Sequence, residues 1–464
     1  MPQEELEELE EDLEPAPPGD DAGDEEDDEE AADRRRPPLK RMIRRAKRRG
    51  RRRVRDALVR HAQAPPRDGG AVPPDGKVTI LLVSAWGMGG TIRAALNMAG
   101  YLAQTHEVEI ISWYRRREEP FFGAFPPGVK VTPLDDQRPG HAPRGLQGLL
   151  RKVLRKRGSV LAHPSDRLYS ECSLWTDLQL VRKLRGGSGF LYGTRPALNL
   201  MLGELKPPGY VLIGLEQMHL HHHAKKLRKA MKRWYPNLDT LVALTEQDVA
   251  SYDELLSGGV RLDRIPNTVR ELGGRPADPD RKVVLAAGRL RAQKGFDYLV
   301  EAWGKVAHDF PDWHLRICGS GRLRDRLLAM IDEAGIASQV TLEGPAEDMG
   351  GTMAEASIFA MSSRFEGFPL ILLEAMSKGM AVVSFDCPTG PADMIDDRVN
   401  GILVRPNRDP DAFAEGLRAM MADADLRRRC AAAAPATAHA YTMDVIGPQW
   451  EALLGELAAA RSSR

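Results

Sequence analysis

The 464-residue chain has only four cysteines, Cys172, Cys318, Cys387 and Cys430, and they lie far apart. Their spacing matches neither a metal site nor a disulfide framework, so four reduced thiols in a cytosolic protein are expected. Long apolar runs are also missing. None approaches the ~18 residues of a membrane span. The acidic N-terminus lacks an apolar segment, so no secretory signal is expected. Residues 1–75 contain no Phe, Trp or Tyr. No GxGxxG follows the first strand of either half of the chain, which argues against a nicotinamide-dependent oxidoreductase.

What is present is unevenly spread. The net charge is zero, yet residues 1–33 hold 18 Asp or Glu and no Lys or Arg. Residues 34–60 hold 15 Lys or Arg and one acid, Asp56, leaving 51 bases against 47 acids in the rest. Such composition cannot bury enough surface to offset chain entropy, and residues 1–75 are expected to form a disordered acidic-then-basic tail. One exception is a basic amphipathic pattern at Leu39, Met42, Ile43 and Ala46, which reads as a helix on an anionic membrane surface or as a solvated charge run.

Folded sequence begins near Lys77. Apolar runs at 78–84 and 108–113 flank a glycine cluster (Gly87, Gly89, Gly90) and a helical pattern, the opening of a parallel α/β sheet. Residues 211–214 and 240–245 read as later strands. Two basic amphipathic stretches lie in this half. In one, Leu146, Leu149, Leu150, Val153 and Leu154 share a face among Arg and Lys; the other carries Lys225, Lys226, Arg228, Lys229, Lys232 and Arg233. A buried face plus a wet face accounts for both, and an anionic or membrane-borne partner is the alternative. Residues 269–280 read as a linker rich in Gly, Pro and charge. A second strictly alternating unit follows, with strands near 283–287, 313–318, 340–343, 358–361 and 381–385. Two doubly wound sheets imply a cleft between them.

Three features of the second unit carry chemistry. Gly288-Arg289-Leu290 and Lys294-Gly295 follow its first strand, where ligands bind open parallel sheets, and two cations at this spacing can reach one diphosphate. Glu366 and Glu374 flank a helix start at Phe368-Pro369, whose free N–H groups suit an anion. Helical pitch puts Glu374 about two turns in, so one carboxylate can address a sugar and the other ribose hydroxyls. An acidic helix start balancing its dipole is the bland account. Third, Asp386-Cys-Pro-Thr-Gly-Pro391 makes a rigid loop after another strand. The Asp pairs 278/280, 409/411 and 423/425 fall in linkers and loops and read as turns.

The order of these motifs, with Ser363-Arg364-Phe365-Glu366-Gly367, Glu374-Ala375, Gly390-Pro391, Asn400-Gly401 and Leu403-Val404, resembles the retaining glycosyltransferases of GT-B fold, family 4 (glycosyl transferases group 1). The resemblance is strong over 280–410, weaker over 77–270 and absent from 1–75. It implies two Rossmann-like domains facing across a cleft: an acceptor domain at 76–270 joined by a C-terminal helix at 442–460, and a nucleotide-sugar domain at 275–440. It implies that Arg289 and Lys294 neutralise the donor diphosphate, Glu366 faces the transferred sugar and Glu374 binds the ribose. Gly367, Phe368, Pro369 and Leu370 then start the helix near the phosphates. Gly344-Pro345 lines the base, with Pro345 in place of the usual aliphatic residue. Gly87, Gly89 and Gly90 form the loop facing the phosphates. His219 stands at the strand end near the sugar, although His221, His222 and His223 leave its assignment open by a few positions.

The function implied is sugar transfer from a nucleotide-diphosphate donor, with UDP the first choice, to a hydroxyl acceptor of an envelope polysaccharide, teichoic-acid-type polymer or glycolipid. No metal or further cofactor is expected, and nucleic acid is not an expected partner. The location expected is cytoplasmic, at the inner face of the plasma membrane. Alternatives are a small acceptor such as an inositol phosphate, and a non-catalytic polyanion- or envelope-polymer-binding protein on the same scaffold.

Overall fold

The computed structural model describes residues 38–463, without the side chains of 38–41, 43 and 44. The first domain opens with helix α1 (Pro38–Ala62) and strand β1 (Val78–Leu82), followed by α2 (Gly90–Leu102), β2 (Val108–Arg115) and β3 (Val129–Asp136). Then come α3 (Gly145–Arg155), α4 (Leu174–Leu184), β4 (Gly189–Gly193), α5 (Pro196–Leu205) and β5 (Tyr210–Leu215). Helix α6 (Lys225–Trp234), β6 (Thr240–Ala243), α7 (Glu246–Leu256) and β7 (Arg261–Arg264) complete it. The seven strands pair in parallel in the order β3-β2-β1-β4-β5-β6-β7. The central strands are buried on both faces, as helix-covered parallel sheets require.

The second domain runs β8 (Val283–Ala287), α8 (Phe296–Val306), β9 (His314–Cys318), α9 (Arg324–Glu333), β10 (Val340–Glu343), α10 (Met349–Ala354) and β11 (Ile358–Met361). It continues with α11 (Leu370–Ser377), β12 (Ala381–Phe385), α12 (Pro391–Met394), β13 (Gly401–Val404), α13 (Pro410–Ala422) and α14 (Ala424–His439). Its six parallel strands are ordered β10-β9-β8-β11-β12-β13. Both sheets are doubly wound. The last helix, α15 (Met443–Ser462), returns to the first domain, where Ile446, Trp450, Leu453, Leu454 and Leu457 join the core beneath β1. It crosses α2 at Gly447, where a Cβ would lie 2.4 Å from the Tyr101 ring.

The tail boundary expected at residue 75 needs correction. Helix α1 is docked: Leu58 and Ala62 are buried in the first domain's core. Arg51 Nη2 donates to Ser159 O at 2.6 Å, and Arg55 pairs with Glu204. After it, Val72 is buried and Arg67 N donates to Gly186 O at 3.0 Å. A short apolar stripe at the end of a basic helix, plus two arginine anchors, suffices to join 38–75 to the body. Residues 1–37 lie outside the described residues. Met42 and Ala46 are exposed on α1. All four cysteines are buried free thiols.

Candidate active site

A doubly wound sheet opens a crevice where strand order reverses. In the second domain that point lies between β8 and β11, and the loops after these strands carry Arg289, Lys294 and Glu366. The two loops are laced together. Arg364 Nη1 donates to Ala292 O at 2.6 Å and to Asp297 Oδ1 at 2.8 Å, and its guanidinium lies 4.0 Å above the Tyr298 ring. Arg364 N donates to Gln293 O, and Ser362 Oγ to Lys294 O. Gly295, at φ 62°, lies so close to Ser362 O that a Cβ would fall 2.0 Å from it. The spacing between Lys294 and Glu366 is therefore set by backbone.

Across that seam Lys294 Nζ meets Glu366 Oε1 at 2.6 Å, and Ser363 Oγ donates to the same oxygen at 2.6 Å. Glu366 is buried, and its backbone is also held: its N donates to Pro388 O, and Thr389 Oγ1 donates to its O at 2.6 Å. The loop at 386–391 thus acts as a buttress under Glu366. Burial first, and then the nearby Glu366 carboxylate, push the Cys387 thiol well above its ordinary range. Arg289 is exposed and has no side-chain partner among the described residues.

The helix after Glu366 begins later than expected. Pro369 is its N-cap and Leu370 its first residue, which places Glu374 one turn in rather than two. Phe368 and Pro369 form the approach: Leu370 N donates to Phe368 O at 2.9 Å. Glu374 is buried against two arginines that sequence reasoning missed. Arg270 Nε lies 3.0 Å and Arg93 Nη1 3.4 Å from Glu374 Oε1. Burial, and then the charge of Arg270, lower the pKa of Arg93 from its ordinary value. Arg93 comes from the first turns of α2, directly after the glycine loop. Its attachment to Glu374 shows that the N-terminal end of α2 faces the second domain. Gly89 is the N-cap of α2 at φ 154°, and a Cβ on Gly90 would meet nothing within 4 Å. Arg270 sits in the segment read as linker, whose composition hid it. Arg93 had a usable signal, a cation in the first turn of a helix behind a glycine cluster.

The histidine cluster reaches the same place from β5. Rings of His222 and His219 lie 5.0 and 6.5 Å from Phe365, the neighbour of Glu366. His221 N donates to His219 Nδ1 at 3.2 Å, so the neutral ring carries its proton on Nε2. Burial, then His222, hold His219 down to about 4. Gly367 lies against the backbone of Gln217, where a Cβ would come within 2.2 Å of the carbonyl oxygen. Gly344 and Pro345 are exposed at the end of β10, tied in by Gly319 N donating to Gly344 O at 3.1 Å. The structure thus brings Lys294 and Glu366 into contact with Gly367 beside them, while His219 and His222 reach only their neighbour Phe365. Glu374 stands one turn into α11, paired with Arg93 from the helix that follows the glycine loop.

The Asp pairs are turns and caps. Asp278 accepts from Asp280 N, Asp409 from Asp411 N, and Asp423 from Leu426 N. Among the described residues no group of three or more His, Cys, Asp or Glu is arranged to hold a metal ion. No described helix is long and apolar enough to cross a membrane.

Comparison with known proteins agrees with this geometry. Residues 272–437 match the family described as Glycosyl transferases group 1. An exopolysaccharide phosphotransferase of Streptomyces coelicolor is 34% identical over 401 residues, 83% of this chain and 41% of that protein. An uncharacterized glycosyltransferase of Haemophilus influenzae is 28% identical over 217 residues, 47% of this chain and 61% of its own. The chain therefore spans less than two thirds of either relative. Among solved structures, S. aureus TarM in complex with Fondaparinux, α-GlcNAc-glycerol and UDP superposes with a TM-score of 0.64 at 15% identity, covering 82% of this chain and 99% of that one. The chain has the GT-B fold, and its second domain carries the group 1 glycosyltransferase match.

Proposed function

We propose that this protein is a retaining glycosyltransferase of family 4 that moves a hexose from a UDP-sugar to a hydroxyl of an envelope polymer or glycolipid. One observation carries the reading: a buried Lys294–Glu366 pair at a sheet's switch point, with Glu374 one turn into the following helix and paired with Arg93 from behind the glycine loop. The UDP bound to TarM, and the exopolysaccharide in the name of the Streptomyces relative, support the donor and the acceptor class. The protein works at the cytoplasmic face of the membrane.

In this reading the anomeric C–O bond breaks and its electron pair leaves with UDP. Arg289 and Lys294 stabilise the charge that develops on the diphosphate, as preorganised electrostatics. They take the part a metal plays elsewhere, so turnover survives EDTA. Glu374 accepts from the ribose hydroxyls. Glu366 and the Nε2–H of neutral His219 hold the sugar. The acceptor oxygen bonds to the anomeric carbon on the face UDP leaves, and its proton passes to the departing phosphate oxygen. Closure of the two domains excludes water and so limits donor hydrolysis.

The test is calorimetric binding of UDP, GDP and ADP to the full chain and to Glu374→Ala, followed by assay with UDP-sugars. Selective UDP binding, weakened about tenfold or more by the lost charged hydrogen bond, and release of UDP support the proposal. Release of UMP instead would mean transfer of a sugar phosphate. Absence of diphosphate binding, or binding indifferent to Glu374, would favour a polyanion-binding role.

A further inference from the structure

The two basic amphipathic helices of the first domain differ in a way their sequences do not disclose. In α6 the apolar residues Leu227 and Met231 are buried, leaving a wet basic face. In α3 the arrangement is inverted. Leu146, Leu149, Leu150 and Val153 are 82, 61, 43 and 47% exposed, while Arg151 is the buried residue. Arg151 Nε donates to Asp135 Oδ1 at 2.7 Å, its Nη2 to Asp136 O at 2.6 Å, and Arg155 pairs with Asp135 at 3.1 Å. At 3.6 residues per turn the four apolar side chains fall within an arc of about 100°, opposite Arg151 and Arg155. The helix is pinned by its arginines and presents its apolar stripe outward.

The surroundings indicate what covers that stripe. Residues 137–158 contain seven Lys or Arg and no Asp or Glu. Lys152 and Lys156 flank one side of the stripe, and Arg144 and Arg157 stand exposed at the helix ends. The Arg51 bond to Ser159 O brings α1 against the end of α3, so its exposed Arg49, Arg52 and Arg53 extend the basic field. A second copy docked about a two-fold axis would set this cationic rim against itself. An anionic bilayer complements both parts, acyl chains taking the leucines and lipid phosphates the cations.

We propose that α3 is a membrane-docking helix that lays Leu146, Leu149, Leu150 and Val153 into the interface of an anionic bilayer. This refines the peripheral placement proposed above and does not depend on the donor chemistry. Because α3 follows the C-terminal end of β3, docking turns the cleft side of the first domain toward the membrane.

The experiment is co-sedimentation of the full chain with vesicles of phosphatidylcholine, with and without phosphatidylglycerol. The wild type is compared with Leu146→Glu/Leu149→Glu and with a charge-matched control, Leu328→Glu/Val399→Glu, on exposed positions of the second domain. The expected result is binding to anionic vesicles only, reduced about tenfold or more by the α3 variant, since each leucine removed from the interface forfeits at least that factor. The control and UDP binding stay unchanged. Equal binding by wild type and α3 variant would overturn the assignment to α3 while leaving peripheral attachment intact. Failure of the wild type to bind would sink both. A wild-type dimer that the α3 variant converts to monomer would make the stripe a contact between copies instead.

Discussion

Replacing Lys294 by alanine tests the site most directly. Its ammonium lies 2.6 Å from Glu366, and the two side chains are 16 and 8% exposed. Breaking a buried pair costs about 3–5 kcal/mol when the remaining charge is left alone. Here Ser363 Oγ still donates to the carboxylate, and Lys294 keeps some solvent contact. We therefore expect about 2–3 kcal/mol. For a domain of this size that lowers the second domain's melting temperature by about 5–10 °C. Glu366→Gln alone should also destabilise, and the double variant should lose less than the two singles together, by a coupling of about 2 kcal/mol. Catalysis is a separate axis: removing one preorganised donor to a developing charge costs about 10²–10³ in kcat. Calorimetry of the four-membered cycle and initial rates with UDP-sugar read both. Additive stability losses would refute the pair, and turnover within a few-fold of wild type would remove Lys294 from the mechanism.

Arg289→Ala should leave the melting temperature unchanged, because the side chain has no described partner, yet weaken UDP binding by about tenfold or more through the lost charge-assisted contact; a destabilised variant would mean a structural role. Gly367→Ala places a Cβ 2.2 Å from Gln217 O, so the two loops must separate and kcat should fall at least about tenfold, as for a misplaced reacting group; wild-type kinetics would show that this approach is dispensable. His219, held to about 4 by burial and then by His222, should stay neutral in NMR titration down to about pH 5. The unfolded chain takes up that proton near pH 6.5 and the folded one does not until about pH 4, so this group's contribution makes stability fall as pH drops through that window. A His219→Asn variant should show a shallower acid slope, and an unchanged slope would contradict the shift.

The residues legible from sequence are those placed by their distance from a strand end. Lys294 sits seven positions after a strand end and Glu366 a few after another, and strict strand–helix alternation alone makes both switch-point residues of one sheet. What could not be read were partners supplied by distant segments. Arg93 and Arg270 reach Glu374 from 281 and 104 residues away. Arg270 lies in a stretch whose glycines and charges describe a linker, yet Val269 beside it is buried in the second core. Of the strands missed, β3 and β7 lack a clear apolar run, and the runs of β4 (Phe190–Tyr192) and β13 (Ile402–Val404) are short. β3 is half-buried and contains Pro133, β4 is five residues bounded by glycines, β7 is polar, and β13 has four residues. Tertiary pairing, rather than local preference, makes β3 and β7 strands.

Glu366 shows which contacts a motif discloses and which it does not. Its position is fixed by Pro388 and Thr389 from the loop after β12, by Lys294 after β8, and by Ser363 three residues before it. Gly367 next to it is pressed against Gln217 of the other domain. Every one of these contacts comes from a loop at the C-terminal end of a strand, and the order β8-β11-β12 places the three loops of the second sheet side by side. A carboxylate so held is fixed from several sides within the second domain. Glu374 differs: its two cations come from α2 in the first domain and from the segment joining the domains. In the proposed reading the carboxylate that holds the sugar therefore belongs to a half-site built within one sheet, and the one that binds the ribose belongs to the seam between the domains.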